Sequence, residues 1–108
     1  MKRGDLLPVV IPGDHGKPRP AVIIQTDGAV GIETLIICMV TSDREEPWSF
    51  RVDLPVSTAN GLIKPSRIMT DKMFTVKKAK CGKVFGNIGP DALAELNRAI
   101  AIITGLAD

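Results

Sequence analysis

At 108 residues, with 44% hydrophobic and 24% charged side chains, the chain has the size and balance of one ordinary globular domain, which excludes a disordered or fibrous protein. Its apolar runs at 35–40 and 99–103 fall far short of the roughly 20 residues a membrane helix needs, and no apolar h-region of a signal peptide follows the charged N-terminus, so a cytoplasmic protein is expected. The net charge is only +2, yet Lys64, Arg67, Lys72, Lys77, Lys78, Lys80 and Lys83 stand against the single acid Asp71, which makes residues 64–83 +6 and the rest of the chain −4. One basic surface facing phosphates has this asymmetry.

Short β-like runs punctuated by Gly, Pro, Asn and Asp dominate the pattern. Strands are expected at 5–11, 21–26, 35–41, 49–54, 67–70, 73–76 and 83–88, a number that suits a small closed sheet. Between the first two lies Pro12-Gly13-Asp14-His15-Gly16-Lys17-Pro18-Arg19-Pro20, a loop of restricted and permissive backbone carrying several ionisable groups, which is where function tends to sit. Cys38 and Cys81 form no CxxC or Cys/His cluster, so two buried, reduced thiols and no zinc site are expected. Gly89-Pro90-Asp91 has the makings of a helix start, and Leu93, Leu96, Ile100 and Ile103 then form one apolar stripe that ends near Gly105. That helix is expected to cover the barrel. There is no GxxxxGK[ST] loop, no HExxH and no GxSxG, which sets aside the usual nucleotide hydrolases and proteases.

Several segments, in order, follow the pattern of one known family. Arg3-Gly4-Asp5 opens the first strand like the family's RGD/RGE start, and Gly16-Lys17-Pro18-Arg19-Pro20-Ala21-Val22-Ile23-Ile24-Gln25 is similar to its G-x-x-RP segment. Met39-Val40-Thr41-Ser42 falls where the family ends a strand in T-S, and Gly61-Leu62 followed by Ser66-Arg67-Ile68-Met69-Thr70-Asp71-Lys72 and Thr75-Val76 matches a later segment. Lys83-Val84-Phe85-Gly86-Asn87-Ile88 precedes the terminal helix as K-[IVL]-G-x-[LIV] does, with one residue more. In this order the segments resemble the MazF/PemK toxin family, and the resemblance implies a mainly β, SH3-like small barrel with a C-terminal helix, in one toxin domain spanning the chain. It also implies a homodimer that cleaves single-stranded RNA selectively and is opposed by a cognate antitoxin protein. The family's catalytic Arg maps onto Arg19 and its strand-end Thr onto Thr41, with Ser42 adjacent. His15 stands near the place of a loop His used by some members. Asp71 matches the Asp of an Arg-x-Asp pair, but Met69 occupies the Arg position; Arg67, two residues further back, shares its face on an ideal strand.

These residue types suit metal-free RNA cleavage, in which the ribose 2′-OH attacks phosphorus and negative charge gathers on the phosphorane. A guanidinium offers a planar fork of donors to phosphate oxygens, and Pro18 and Pro20 restrict the backbone on both sides of Arg19. Arg stays protonated and is a poor base, so His15, the only histidine, is the candidate acceptor of the 2′-OH proton. Thr41, with Ser42, is placed to bond a phosphate oxygen; Lys17, Arg67, Asp71 and Lys72 are candidate substrate contacts, and Trp48 is a candidate stacking platform for a splayed base. No metal or other cofactor is expected. Two rival readings remain at this stage: a CcdB-like non-enzymatic gyrase poison, and an SH3-like RNA- or protein-binding module without catalysis.

Overall fold

The alternation of apolar and polar residues resolves into six antiparallel strands in a single curled sheet. The computed structural model describes residues 1–13, 15–43 and 50–108. The strands are β1 (Asp5–Val9), β2 (Arg19–Ile23), β3 (Thr34–Thr41), β4 (Arg51–Leu54), β5 (Ser66–Lys77) and β6 (Gly86–Asn87), followed by the helix α1 (Gly89–Ile103). Their order across the sheet is β4-β5-β3-β2-β1-β6, a half-barrel. Successive side chains point to opposite faces. Leu6, Val22, Cys38, Val40, Val52 and Ile68 therefore build one apolar cluster with Leu96 and Ala99 of α1. Leu7, Val9, Ala21, Ile23, Ile37 and Met39 build a second on the opposite face.

The seven expected strands become six because 67–70 and 73–76 are one strand with a bulge. Met39 pairs with Met69 while its neighbour Cys38 pairs with Met73, so Thr70, Asp71 and Lys72 are extra residues. An odd insertion inverts the alternation: Met69 and Phe74 lie on the same side although five positions apart. The last strand is also shorter than expected, since within 83–88 only Gly86 and Asn87 pair with β1.

Helix α1 starts where the sequence placed it, with Pro90 and Asp91 in its first turn. It buries Leu96 and Ala99, with Leu93 and Ile100 half-buried beside them. The Arg3-Gly4-Asp5 segment ties helix and sheet together. The Arg3 guanidinium donates to the Ile24 carbonyl at 2.9 Å and to the Asn97 side chain at 2.6 Å. The buried Asp5 carboxylate accepts from the Lys2 amide at 2.8 Å and from the Asn87 side chain at 3.0 Å. These contacts give that segment a structural role.

Both cysteines are free, but only Cys38 is fully buried; Cys81 sits half-exposed after the sheet has turned, which corrects the expectation of two buried thiols. Burial pushes the Cys38 thiol from 9.0 up to about 12, opposed by the charge of Arg3 and reinforced by Asp71. A folded-state pKa above the unfolded one means that the folded chain keeps a proton which the unfolded chain sheds. The stabilisation is complete below about pH 9 and is lost as pH rises toward about 12. Chemical denaturation midpoints should therefore decline as pH rises from about 9 toward about 12, and a Cys38→Ala variant should lose that part of the dependence. In the native protein a thiol reagent should label Cys81 alone, with Cys38 appearing on unfolding; equal labelling of both in native buffer contradicts this.

Candidate functional site

The strand register assembles a row of polar side chains on the face away from α1. Val9 pairs with Arg19 across β1 and β2, Thr41 with Arg67 across β3 and β5, and Arg67 with Asp53 across β5 and β4. Between β2 and β3 the pairs are Ala21 with Met39 and Ile23 with Ile37. Carried two residues past the Ala21–Met39 pair, that register sets Arg19 opposite Thr41. Both side chains line the same clefts, so one ligand can reach the two together.

Two adjoining clefts open at this row, and Arg19 and Thr41 line both. The first, of about 300 Å³, has an apolar floor of Met39, Met69, Ile11 and Phe74, with Lys72 at its margin. The second, of about 280 Å³, is walled by Leu62, Ile63 and Lys64 and edged by Ser42. Among the described residues no carboxylate lines either cleft. Arg19 and Lys72 stand at the first cleft and Arg19 and Lys64 at the second, so the described lining offers cations to an anionic ligand.

Local sequence explains the presentation. Arg19 is exposed and enters β2 between Pro18 and Pro20, and Pro20 faces Pro8 across the strand pair, so the backbone that carries the guanidinium has little freedom. Thr41 is the last residue of β3, and its hydroxyl oxygen accepts the Asp43 amide at 3.1 Å. That bond uses one lone pair, and the hydroxyl proton can still be donated to a ligand oxygen.

The sequence-derived candidates divide on this geometry. Arg19, Thr41, Ser42 and Lys72 come together at the clefts. His15 and Lys17 are exposed and line neither; His15 occupies a left-handed turn with φ 53° between Gly13 and Gly16. Arg67 is in the row, but its Nε donates to Asp53 at 2.8 Å, and it lines neither cleft. Asp71 also lies off the clefts, and its partner is Arg51, at 3.6 Å, not Arg67, because the bulge breaks the ideal-strand face the two were expected to share. Trp48 lies outside the described residues. Sequence reasoning missed Lys64 as a wall of the second cleft, the Met39/Met69 floor and Arg51. Nothing in the alternation Arg51-Val52-Asp53-Leu54 singles out Arg51, whose partner Asp71 is revealed by the fold alone.

Comparison with known proteins gives concordant results. Residues 2–104 match the family described as PemK-like, MazF-like toxin of type II toxin-antitoxin system. The chain is 30% identical over 109 residues to a probable endoribonuclease MazF of Mycolicibacterium smegmatis, covering 99% of each chain. It superposes on a mycobacterial endoribonuclease solved in complex with its cognate antitoxin with a TM-score of 0.83, at 19% identity, over 98% of this chain and 96% of that one. The toxin MazF-mt6 of Mycobacterium tuberculosis gives a TM-score of 0.80 at 19% identity, over 94% and 96%. These structural likenesses establish the curled sheet with its terminal helix as a shared fold.

Proposed function

The chain belongs to the PemK-like, MazF-like toxin family of type II toxin–antitoxin systems, and from that premise we propose that it cuts single-stranded RNA, selectively and without a metal, and that a cognate antitoxin protein holds it in check. The observation that carries this reading is the convergence of Arg19 and Thr41 on two shared clefts that, among the described residues, no carboxylate lines. The relative of 30% identity is named an endoribonuclease, and one structural neighbour is bound to its antitoxin. The same reading has the chain working in the cytoplasm as a homodimer; among the described residues no helix is long and apolar enough to cross a membrane.

In the proposed reaction the 2′-oxygen forms a bond to the adjacent phosphorus as the bond from phosphorus to the 5′-oxygen breaks. The 2′-OH proton passes through a bridging water to His15, and the departing 5′-oxygen takes its proton from solvent water. Charge on the phosphorane oxygens rises in between. A guanidinium fixed in advance meets that charge without reorganisation, and the Thr41 hydroxyl donates one further hydrogen bond. The Met39/Met69 floor offers an apolar seat for a base beside the phosphate.

Purified protein incubated with a long single-stranded RNA in EDTA should give discrete fragments ending in 2′,3′-cyclic phosphate and 5′-hydroxyl groups, while DNA of the same sequence is left uncut for want of the internal nucleophile. Thr41→Val keeps the strand-compatible shape and removes the donor, so the cleavage rate should fall by about 10²-fold, with Thr41→Ser retaining most of it. RNA left intact by a wild-type protein that still arrests growth discards the ribonuclease and favours a gyrase poison.

A further inference from the structure

The bulge in β5 is built as a mount. Of its three extra residues, two are tied to the start of β4: the fully buried Thr70 hydroxyl donates to the Phe50 carbonyl, and the Asp71 carboxylate meets Arg51 Nε at 3.6 Å. The third, Lys72, lines the first cleft with Arg19 and Thr41. The Arg51 side chain is only 6% exposed and that of Asp71 25%. Arg51 also pairs in register with Met69, the residue at which regular pairing stops.

We propose that Arg51 and Asp71 are positioning residues that fix the bulge so that the Lys72 ammonium meets a phosphate flanking the scissile one; this rests on the RNA-cutting reading above. Lysine is a point charge on a four-carbon stem and contributes a directed contact only when the backbone at its root is held. A three-residue bulge would otherwise be free to lean. The pair has a second effect, since it turns the one carboxylate next to Lys72 in sequence toward a guanidinium and out of the cleft, where it would repel the substrate.

The two effects predict opposite signs for one variant. If Asp71 were merely a nearby negative charge, Asp71→Asn would tighten RNA binding; as part of the mount, its loss should weaken binding. The probe is a fluorescent single-stranded 2′-O-methyl oligonucleotide, which binds but offers no nucleophile, titrated by anisotropy over a range of salt. Lys72→Ala should weaken binding about threefold to tenfold and reduce the slope of log K against log salt by about 0.7, one single-strand phosphate contact. Asp71→Asn should reproduce both changes, and Asp71→Asn/Lys72→Ala should be no worse than Lys72→Ala within about twofold. The double variant Arg51→Met/Asp71→Asn removes both charges together and so avoids an uncompensated buried ion. It should fold normally and still show the reduced slope. Tighter binding by Asp71→Asn, multiplying losses in Asp71→Asn/Lys72→Ala, an unchanged slope in Lys72→Ala, or a wild-type slope in Arg51→Met/Asp71→Asn overturns the proposal. Failure of the wild-type protein to bind the probe overturns the RNA reading itself, and is recognisable because it precedes any variant.

Discussion

Arg19→Ala should abolish RNA cutting while leaving the protein folded. Removing one preorganised donor from a developing oxyanion costs about 10²–10³-fold in kcat, and a guanidinium that also neutralises charge belongs at or above the upper end of that range. The effect should fall on kcat more than on KM, because the guanidinium's interaction grows as the phosphorane forms. Arg19→Lys should recover little, since an ammonium lacks the fork that engages two phosphate oxygens at once. The backbone argument isolates the chemistry: Arg19 is exposed, Pro18 and Pro20 remain in place, and the pairing with Val9 is through the main chain. Its melting temperature should therefore stay close to wild type. Single-turnover cleavage of a defined RNA alongside thermal melting checks both halves. A folded Arg19→Ala protein that cuts within about threefold of wild type removes the site, because no other described guanidinium lines the clefts.

How far the sequence carried this result differs between the fold and the site. Leu35–Val40 was legible as a short continuous apolar run, the mark of a strand buried on both faces, with Cys38 and Val40 in one cluster and Ile37 and Met39 in the other, and the helix was legible from Pro90, Asp91 and the 93/96/100 spacing. Alternation failed at Thr70-Asp71-Lys72, where three extra residues invert the phase; a periodic reading interprets such an inversion as a break between two strands. The short β6 was overestimated because Lys83-Val84-Phe85 has strand-like composition but makes no ladder there. At the site, composition alone marked a basic stretch, and the likeness of Arg19 and Thr41 to a family pattern marked two residues 22 positions apart in the chain. Their meeting follows from the β2–β3 register. The Arg51–Asp71 pair was not legible, since it depends on a register and a bulge together, neither of which local sequence states.

Gly86→Ala should be the most destabilising of the glycine-to-alanine substitutions, and the reason lies in backbone meeting backbone. A Cβ at residue 86 would stand 2.2 Å from the Asn60 carbonyl oxygen and 2.4 Å from its carbon, distances real Cβ atoms do not adopt. Neither side can yield cheaply. On one side Gly86 pairs with Leu6, and the Phe85 amide donates to the Leu6 carbonyl at 2.9 Å. On the other, the buried Asn60 side chain accepts from the Leu62 amide at 3.0 Å and donates to the Pro55 carbonyl at 2.8 Å, while the Asn87 amide donates to Ala59 at 3.0 Å. Relief of the clash must break some of these bonds, so overpacking of about 1–3 kcal/mol combines with about 1–3 kcal/mol for each buried group left unsatisfied. A loss of about 3–5 kcal/mol follows, which for a domain of this size lowers Tm by roughly 15–30 °C. Gly28→Ala is the matched control: its Cβ would meet only the Thr26 hydroxyl at 3.6 Å, an ordinary contact, and Tm should barely move. The clash also bears on the clefts, because the segment that Asn60 anchors continues into Leu62, Ile63 and Lys64, the wall of the second cleft. Below its melting temperature, Gly86→Ala should therefore bind single-stranded RNA less well than wild type while leaving the Met39/Met69 floor intact. A variant that melts within a few degrees of wild type shows instead that the Asn60 turn can retreat from β6 without loss, and that its hydrogen bonds do not hold the wall.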